Sequence, residues 1–112
     1  MKTIKTIDTV GDVFCVCTDD GQKLYDIIYP SLKNGDKVEL SFEGIDLIIP
    51  AFLNTAIGQL YGVLPTNVVD NQLKITNLYD IDDQKMLEYV VDNAKRYFSN
   101  REIFDKVLTE YI

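Results

Sequence analysis

The sequence predicts an α/β fold, a mixed β-sheet with about four helices packed on it. Two observations carry that expectation. The apolar residues of 37–43 alternate with polar ones, whereas those of 51–64 recur at helical spacing. The second is punctuation: Gly11-Asp12, Asn34-Gly35, Gly44, Pro50, Pro65 and Ser99-Asn100 cut the chain into pieces of strand or helix length. No repeat, linker or low-complexity run interrupts them. The 112 residues therefore read as one domain over 1–112, large enough to bury roughly two-thirds of its unfolded surface.

The elements follow in order. Ile4, Ile7 and Val10, interleaved with Thr3, Thr6 and Thr9, favour an extended N-terminal segment. Gly11-Asp12 turns the chain and 13–18 reads as a second strand, giving an N-terminal hairpin. Thr18, Asp19 and Asp20 offer capping oxygens ahead of Leu24, Ile27 and Ile28, whose i, i+3, i+4 spacing marks one helix face. Pro30 lacks an amide hydrogen and kinks or ends that helix, and Asn34-Gly35 closes it. Residues 37–43 form a half-buried strand, and 45–50 a partly extended connection.

Phe52, Leu53, Ala56, Ile57, Leu60, Tyr61 and Leu64 then place a helix over 51–64, packed on the strand 38–42 and stopped by Pro65. Gly58 costs that helix about 1 kcal/mol relative to alanine, so close packing against a strand is expected there. Val68-Val69 and 73–76 read as short strands around a turn at Asp70-Asn71. Asp80, Asp82 and Asp83 open the next helix at the positive end of its dipole. Leu87, Val90, Val91, Ala94 and Phe98 form its buried stripe. After a break at Ser99-Asn100, Ile103, Phe104, Val107, Leu108, Tyr111 and Ile112 mark a last helix. The predicted order is β-β-α-β-α-β-α-α.

Composition narrows the chemistry. Eleven basic against eighteen acidic residues leave a net charge of −7. That surface repels phosphate backbones and anionic headgroups, so no direct nucleic-acid or membrane contact is expected. The longest apolar run, 13–17, falls far short of the roughly 18 residues that suggest a membrane span. With no leader-like pattern at residue 1, the expected location is the cytoplasm. Histidine is absent, which removes the commonest general base, the commonest metal ligand and every Ser-His or Cys-His pair. No enzymatic activity and no cofactor are expected.

Cys15 and Cys17 are the only cysteines. Two thiolates without further Cys or His cannot close a tetrahedral zinc site. On a strand both would point to one face, reduced and largely buried. Asp80 and Asp82 resemble the start of a calcium loop, but Lys85 and Val91 stand where its glycine and distal glutamate belong. Helix capping explains these acids, and no phosphate-binding glycine loop occurs. The seven tyrosines fall on or beside apolar stripes. They suit a core with hydroxyls at its rim and equally a protein interface.

Residues 38–61 carry a further pattern. A strand leads through Glu43-Gly44-Ile45 to Ile48-Ile49-Pro50 and then to a helix opening Ala51-Phe52-Leu53-Asn54-Thr55-Ala56. This resembles the STAS-like domains of bacteria, relatives of the anti-sigma factor antagonists and of the cytoplasmic domains of sulfate transporters. The resemblance covers most of the chain in architecture and 38–61 in motif. It implies docking through the strand-to-helix loop and the first turn of the central helix. In antagonist-type members a serine or threonine at that helix start is phosphorylated by a kinase-like anti-sigma partner, and the added dianion breaks the complex. The matching pair here is Ala51-Phe52, and alanine has no hydroxyl. Thr55, one turn on, reads either as a displaced phosphoacceptor or as a threonine bonded back to the preceding turn.

The expected function is therefore a cytoplasmic regulatory protein–protein interaction module without catalysis. Its partner-binding residues are Ile48, Ile49, Pro50, Ala51, Phe52, Asn54 and Thr55, and Asn54 and Gln59 read equally well as solvated helix residues. The partner is a protein, ATPase-like or anti-sigma-like, with a second copy of the chain left open. The alternative is an acidic inhibitor that imitates nucleic-acid phosphates and occludes a basic groove. It rests on residues 80–92, where five acids face one lysine.

Overall fold

The computed structural model describes the backbone of residues 1–110 and the side chains of residues 1–99. Its first strand, β1 (Lys2–Lys5), runs directly into a helix, α1 (Thr6–Val10), and no hairpin forms. Ile4 lies on β1 and only Ile7 and Val10 share α1, too short a helical period to declare itself among the threonines. Gly11 ends α1 in the left-handed region, φ 76°, with its amide donating to the Ile7 carbonyl. The Asp12 carboxylate then accepts the amides of Val13 and Phe14 at 2.6 and 3.3 Å, turning the chain into β2 (Phe14–Cys15).

The α/β class expected from the sequence is the one observed, and every ladder among the described residues is parallel. Strands β1, β3 (Val38–Ser41) and β5 (Leu73–Thr76) form a three-stranded sheet in the order β1-β3-β5, with Ile4, Leu40 and Ile75 in register. Strands β2 and β4 (Leu47–Ile48) form a separate pair, Phe14 opposite Leu47 and Cys15 opposite Ile48. Parallel neighbours require crossovers, which the helices provide.

Helix α2 (Thr18–Lys33) starts at Thr18 itself, so Asp19 and Asp20 sit within its first turn, where the dipole favours them, and do not cap it. Pro30 lies inside the helix and does not end it. Leu24, Ile28 and Leu32 are buried, whereas Ile27 is exposed.

The central helix is continuous but not uniform. Segments α3 (Pro50–Leu53) and α4 (Leu60–Val63) flank a π-helical segment, Asn54–Gly58. The Gln59 amide donates to the Asn54 carbonyl five residues back, at 3.1 Å. The sequence explains the insertion. Its apolar pairs, Phe52-Leu53, Ala56-Ile57 and Leu60-Tyr61, repeat every four residues and are all buried. A spacing of four overshoots an α-helical turn by about 40°. The π turn winds less per residue and keeps the pairs on one face. That face lies closest to α2 and α6 (Ile81–Glu110) and shares one buried core with Val38, Leu40 and Phe42 of the strand expected beneath it. Gly58 correspondingly faces Val90 and Ala94 of α6.

Pro65 stops the central helix and opens α5 (Thr66–Gln72), so Val68, Val69, Asp70 and Asn71 are helical where strand and turn were expected. Burial of Val69 in the core outweighs the β preference of the valine pair. Asp80 Oδ1 accepts the amides of Asp82 and Asp83 at 2.8 and 3.2 Å, which confirms the cap on α6. Val90 and Ala94 are buried, and Leu87, Val91 and Phe98 pack on the core. Helix α6 passes through Ser99 and Asn100 without the expected break. Each costs only a fraction of a kcal/mol in a helix, unlike glycine or proline. The apolar stripe expected from Ile103 onward lies outside the described side chains.

Candidate functional site

The turn from β4 into α3 divides its residues sharply between core and surface. Ile48, Phe52 and Leu53 are buried, Ile49 and Thr55 are half-buried, and Pro50, Ala51 and Asn54 are exposed. Of the seven residues expected to bind a partner, Ile48 and Phe52 thus anchor the turn from inside. Pro50, Ala51 and Asn54, with the edges of Ile49 and Thr55, form its outer surface.

Local chemistry limits what this helix start can hold. Pro50 at its first position carries no amide hydrogen, and the Phe52 and Leu53 amides both turn back to the Ile49 carbonyl at 3.2 and 3.4 Å. Few donors remain for an anion. The Thr55 hydroxyl donates to the Ala51 carbonyl at 3.1 Å, the back-bonded arrangement that competes with a phosphoacceptor role. Gln59 ties the segment to α2: its side-chain amide donates to the Thr55 carbonyl at 2.7 Å and to Gln22 Oε1 at 3.0 Å. Gln59 is therefore a structural strut rather than a free contact residue.

The structure adds residues that the sequence did not single out. Phe14 and Leu47, opposite each other on the β2–β4 ladder, both face solvent, and Val16 beyond them is exposed as well. The alternation of Phe14, Cys15 and Val16 was the available signal, but a run apolar on both faces hides which face is outward. Cys15 is fully buried and Cys17 half-buried, both as free thiols. Burial, then the charges of Asp20 and Asp12, push the Cys15 thiol up to about 12.

Two concavities flank the turn. A groove of about 300 Å³ between the π segment and α6 is lined by Asn54, Gly58, Gln59, Asn93, Ala94, Tyr97 and Phe98. A polar cavity of about 250 Å³ lies at the carboxyl ends of β3 and β5, where Asp46, Asp80, Asp83 and Tyr79 meet Phe42, Ile45 and Ile48. Burial, then the charges of Asp80 and Asp82, raise the Asp83 carboxyl. Among the described residues no three His, Cys, Asp or Glu side chains are placed to hold a metal. Among them, too, no helix is long and apolar enough to cross a membrane.

On the far end of the central helix, Asp70 joins three elements. It accepts the Tyr61 hydroxyl at 2.8 Å and the Lys95 ammonium at 2.9 Å, and that ammonium lies 5.5 Å from the Tyr61 ring centroid. This cluster ties α4, α5 and α6 together and bears on stability rather than on the turn.

A family model described as a STAS-like domain of unknown function (DUF4325) matches residues 20–83. The match runs from the first turn of α2 to the first turn of α6 and includes the whole turn from β4 into α3. No curated protein and no solved structure matches the chain. The family match covers more than half of the sequence, and the chain belongs to the STAS-like domain family DUF4325.

Proposed function

We propose that this STAS-like domain is a cytoplasmic regulatory module that binds a protein partner, ATPase-like or anti-sigma-like, and performs no catalysis. One observation carries the reading. The turn from β4 into α3 presents Leu47, Pro50, Ala51 and Asn54 outward while Ile48, Phe52 and Leu53 lock it from within. A surface held this rigidly loses little entropy on docking. Ala51 stands where the antagonist-type pattern has a hydroxyl, and the Thr55 hydroxyl is engaged by the Ala51 carbonyl. Binding is then constitutive, or governed by the partner's own ligand, and independent of phosphorylation.

Affinity capture from the native cell followed by mass spectrometry identifies the partner. Titration of the purified pair then compares wild type with Ala51→Glu, with circular dichroism confirming that both are folded. Added charge and bulk at a desolvated contact should weaken binding by roughly 2 kcal/mol, about thirtyfold. Unchanged affinity in a folded variant removes the turn from the interface. The same titration at low and high salt tests the phosphate-mimic reading, which demands a steep loss of affinity with salt.

A further inference from the structure

The outer face of the β2–β4 ladder is apolar and uncovered. Phe14 and Leu47 stand in register and are 47% and 48% exposed, and Val16 is 44% exposed. The same ladder turns Cys15 and Ile48 into the core. Their burial fixes the strand faces, so Phe14 and Leu47 cannot turn inward without expelling them. Leu47 leads through Ile49 to Pro50 and Ala51, which makes this face continuous with the turn described above.

Its charge surroundings are one-sided. Residues 11–22 and 38–50, which supply the ladder and its flanks, contain six acidic and no basic residues. Asp12 heads β2, and the Asp46 amide is bonded to the Val13 carbonyl at 2.8 Å, so one carboxylate precedes each strand. Asp20 is offset by Lys23 at 3.4 Å, whereas Asp12, Asp19 and Asp46 have no basic partner among the described residues. The Asp12 carboxylate at the Phe14 amide and Asp46 immediately before Leu47, on a chain of net charge −7, select the occupant of this apolar face by sign. A second copy would bring carboxylates against carboxylates, and an anionic lipid surface or a phosphate backbone is repelled in the same way.

We propose that this face docks a basic amphipathic segment of the partner protein. Apolar side chains of that segment seat on Phe14, Val16 and Leu47, and its lysines or arginines meet Asp12 and Asp46. The proposal rests on the interaction-module reading and supplies the partner's chemistry.

The test uses two model peptides of equal length and identical leucine pattern, one with lysine and one with glutamate at the polar positions. Each is titrated into the isotope-labelled full chain and followed by NMR. The lysine peptide should shift the amides of 13–17 and 46–51, and the glutamate peptide should leave them unmoved. The Phe14→Ser/Leu47→Ser variant should bind the lysine peptide at least roughly tenfold more weakly. Asp12→Asn/Asp46→Asn should weaken it and flatten its salt dependence. Should the double serine variant fail to fold, Val16→Ser, which lies outside the ladder, should still show a severalfold loss.

Shifts centred on 82–92, or equal affinity for the serine variant, would mean diffuse attraction to an acidic protein and overturn the proposal. So would a concentration-dependent dimer that Phe14→Ser disperses, because the occupant would then be a second copy. Titration of the captured partner separates the two readings. Loss with Ala51→Glu but not with Phe14→Ser/Leu47→Ser refutes this face and leaves the module. Indifference to both refutes the module.

Discussion

The carbonyl oxygen of Phe52 lies 2.8 Å from the place a Cβ on Gly21 would occupy, so α2 and the start of the central helix meet backbone to backbone. The same methyl would stand 3.0 Å from the Thr55 Cβ. The closeness sets how α2 supports the turn from β4 into α3, because neither neighbour is the flexible end of a side chain.

Gly21→Ala should therefore destabilise the fold by about 1–3 kcal/mol, through forced separation of the two helices. Gly58→Ala is the contrasting case. A Cβ there meets Val90, Ala94 and Asn54 only at 3.8 Å, ordinary contact, and the backbone is helical. It should be neutral or stabilising by up to about 1 kcal/mol, since alanine loses less entropy in a helix. Urea unfolding of the two variants side by side reads both signs, and equal destabilisation would contradict the close approach at Gly21.

Asp70 supplies a pH-dependent term. Partial burial alone would raise its carboxyl, but the hydrogen bonds from Lys95 and Tyr61 and the charge of Lys95 outweigh it and hold the group below its ordinary value. A depressed folded-state value gives stability that is present above the unfolded carboxylate pKa, about 3.9. That stability is lost as pH falls through the folded value. Asp70→Asn should thus flatten the acid limb of the stability curve below about pH 4. At neutral pH the Lys95 pair should contribute only about 0.2–1 kcal/mol, because both side chains are more than one-third exposed. A double-mutant cycle with Lys95→Met measures that coupling, and an unchanged acid limb in Asp70→Asn would show that other carboxylates set it.

The two thiols should differ in reactivity. Cys15 is fully buried, and burial with the charges of Asp20 and Asp12 places its pKa at about 12. At pH 8 only roughly one thiol in ten thousand there is ionised. Cys17, half-buried at the head of α2, is reachable. Brief iodoacetamide treatment should add one carbamidomethyl group to the native chain and two to the unfolded chain by intact mass. Two adducts on the native protein would place Cys15 at the surface.

The central helix was legible because its apolar pairs repeat over three turns, long enough for periodicity to dominate. The π segment was legible only in principle, as a spacing of four where an α-helix averages 3.6. The N-terminal hairpin was misread because threonine-rich propensity competed with a three-residue period over very few residues. Val68 and Val69 show the same conflict settled by tertiary burial. Parallel pairing could not be read at all, since it depends on which distant edges the helices bring together. For the candidate site, the surface at Pro50 and Ala51 was expected from the resemblance to STAS-like domains and not from the residues alone. Phe14 and Leu47 escaped because β2 and β4 are each two residues long, too short for alternation to declare a face.

Gln59 is the residue whose loss should loosen the candidate site without touching its surface. In the π segment the carbonyls shift register, and the Thr55 carbonyl is taken by the Gln59 side-chain amide at 2.7 Å. The same amide reaches Gln22 Oε1 of α2 at 3.0 Å, beside the close approach at Gly21. Gln59→Ala removes both bonds, at about 0.5–1.5 kcal/mol each, while the Thr55 carbonyl gains water at a half-exposed position. The net loss should be about 1–2 kcal/mol. It should fall locally, because the buried pairs Phe52-Leu53, Ala56-Ile57 and Leu60-Tyr61 are untouched. Hydrogen exchange should therefore speed up across 54–59, with little change in β3 or β5. On the proposed interface, partner affinity should drop less than for Ala51→Glu, since the proposed contact residues remain and only their order suffers. Gln59→Glu keeps the shape but loses the donor when ionised, and should match the alanine variant at neutral pH. Retained protection across 54–59 in both variants would mean that the π segment is held by packing alone.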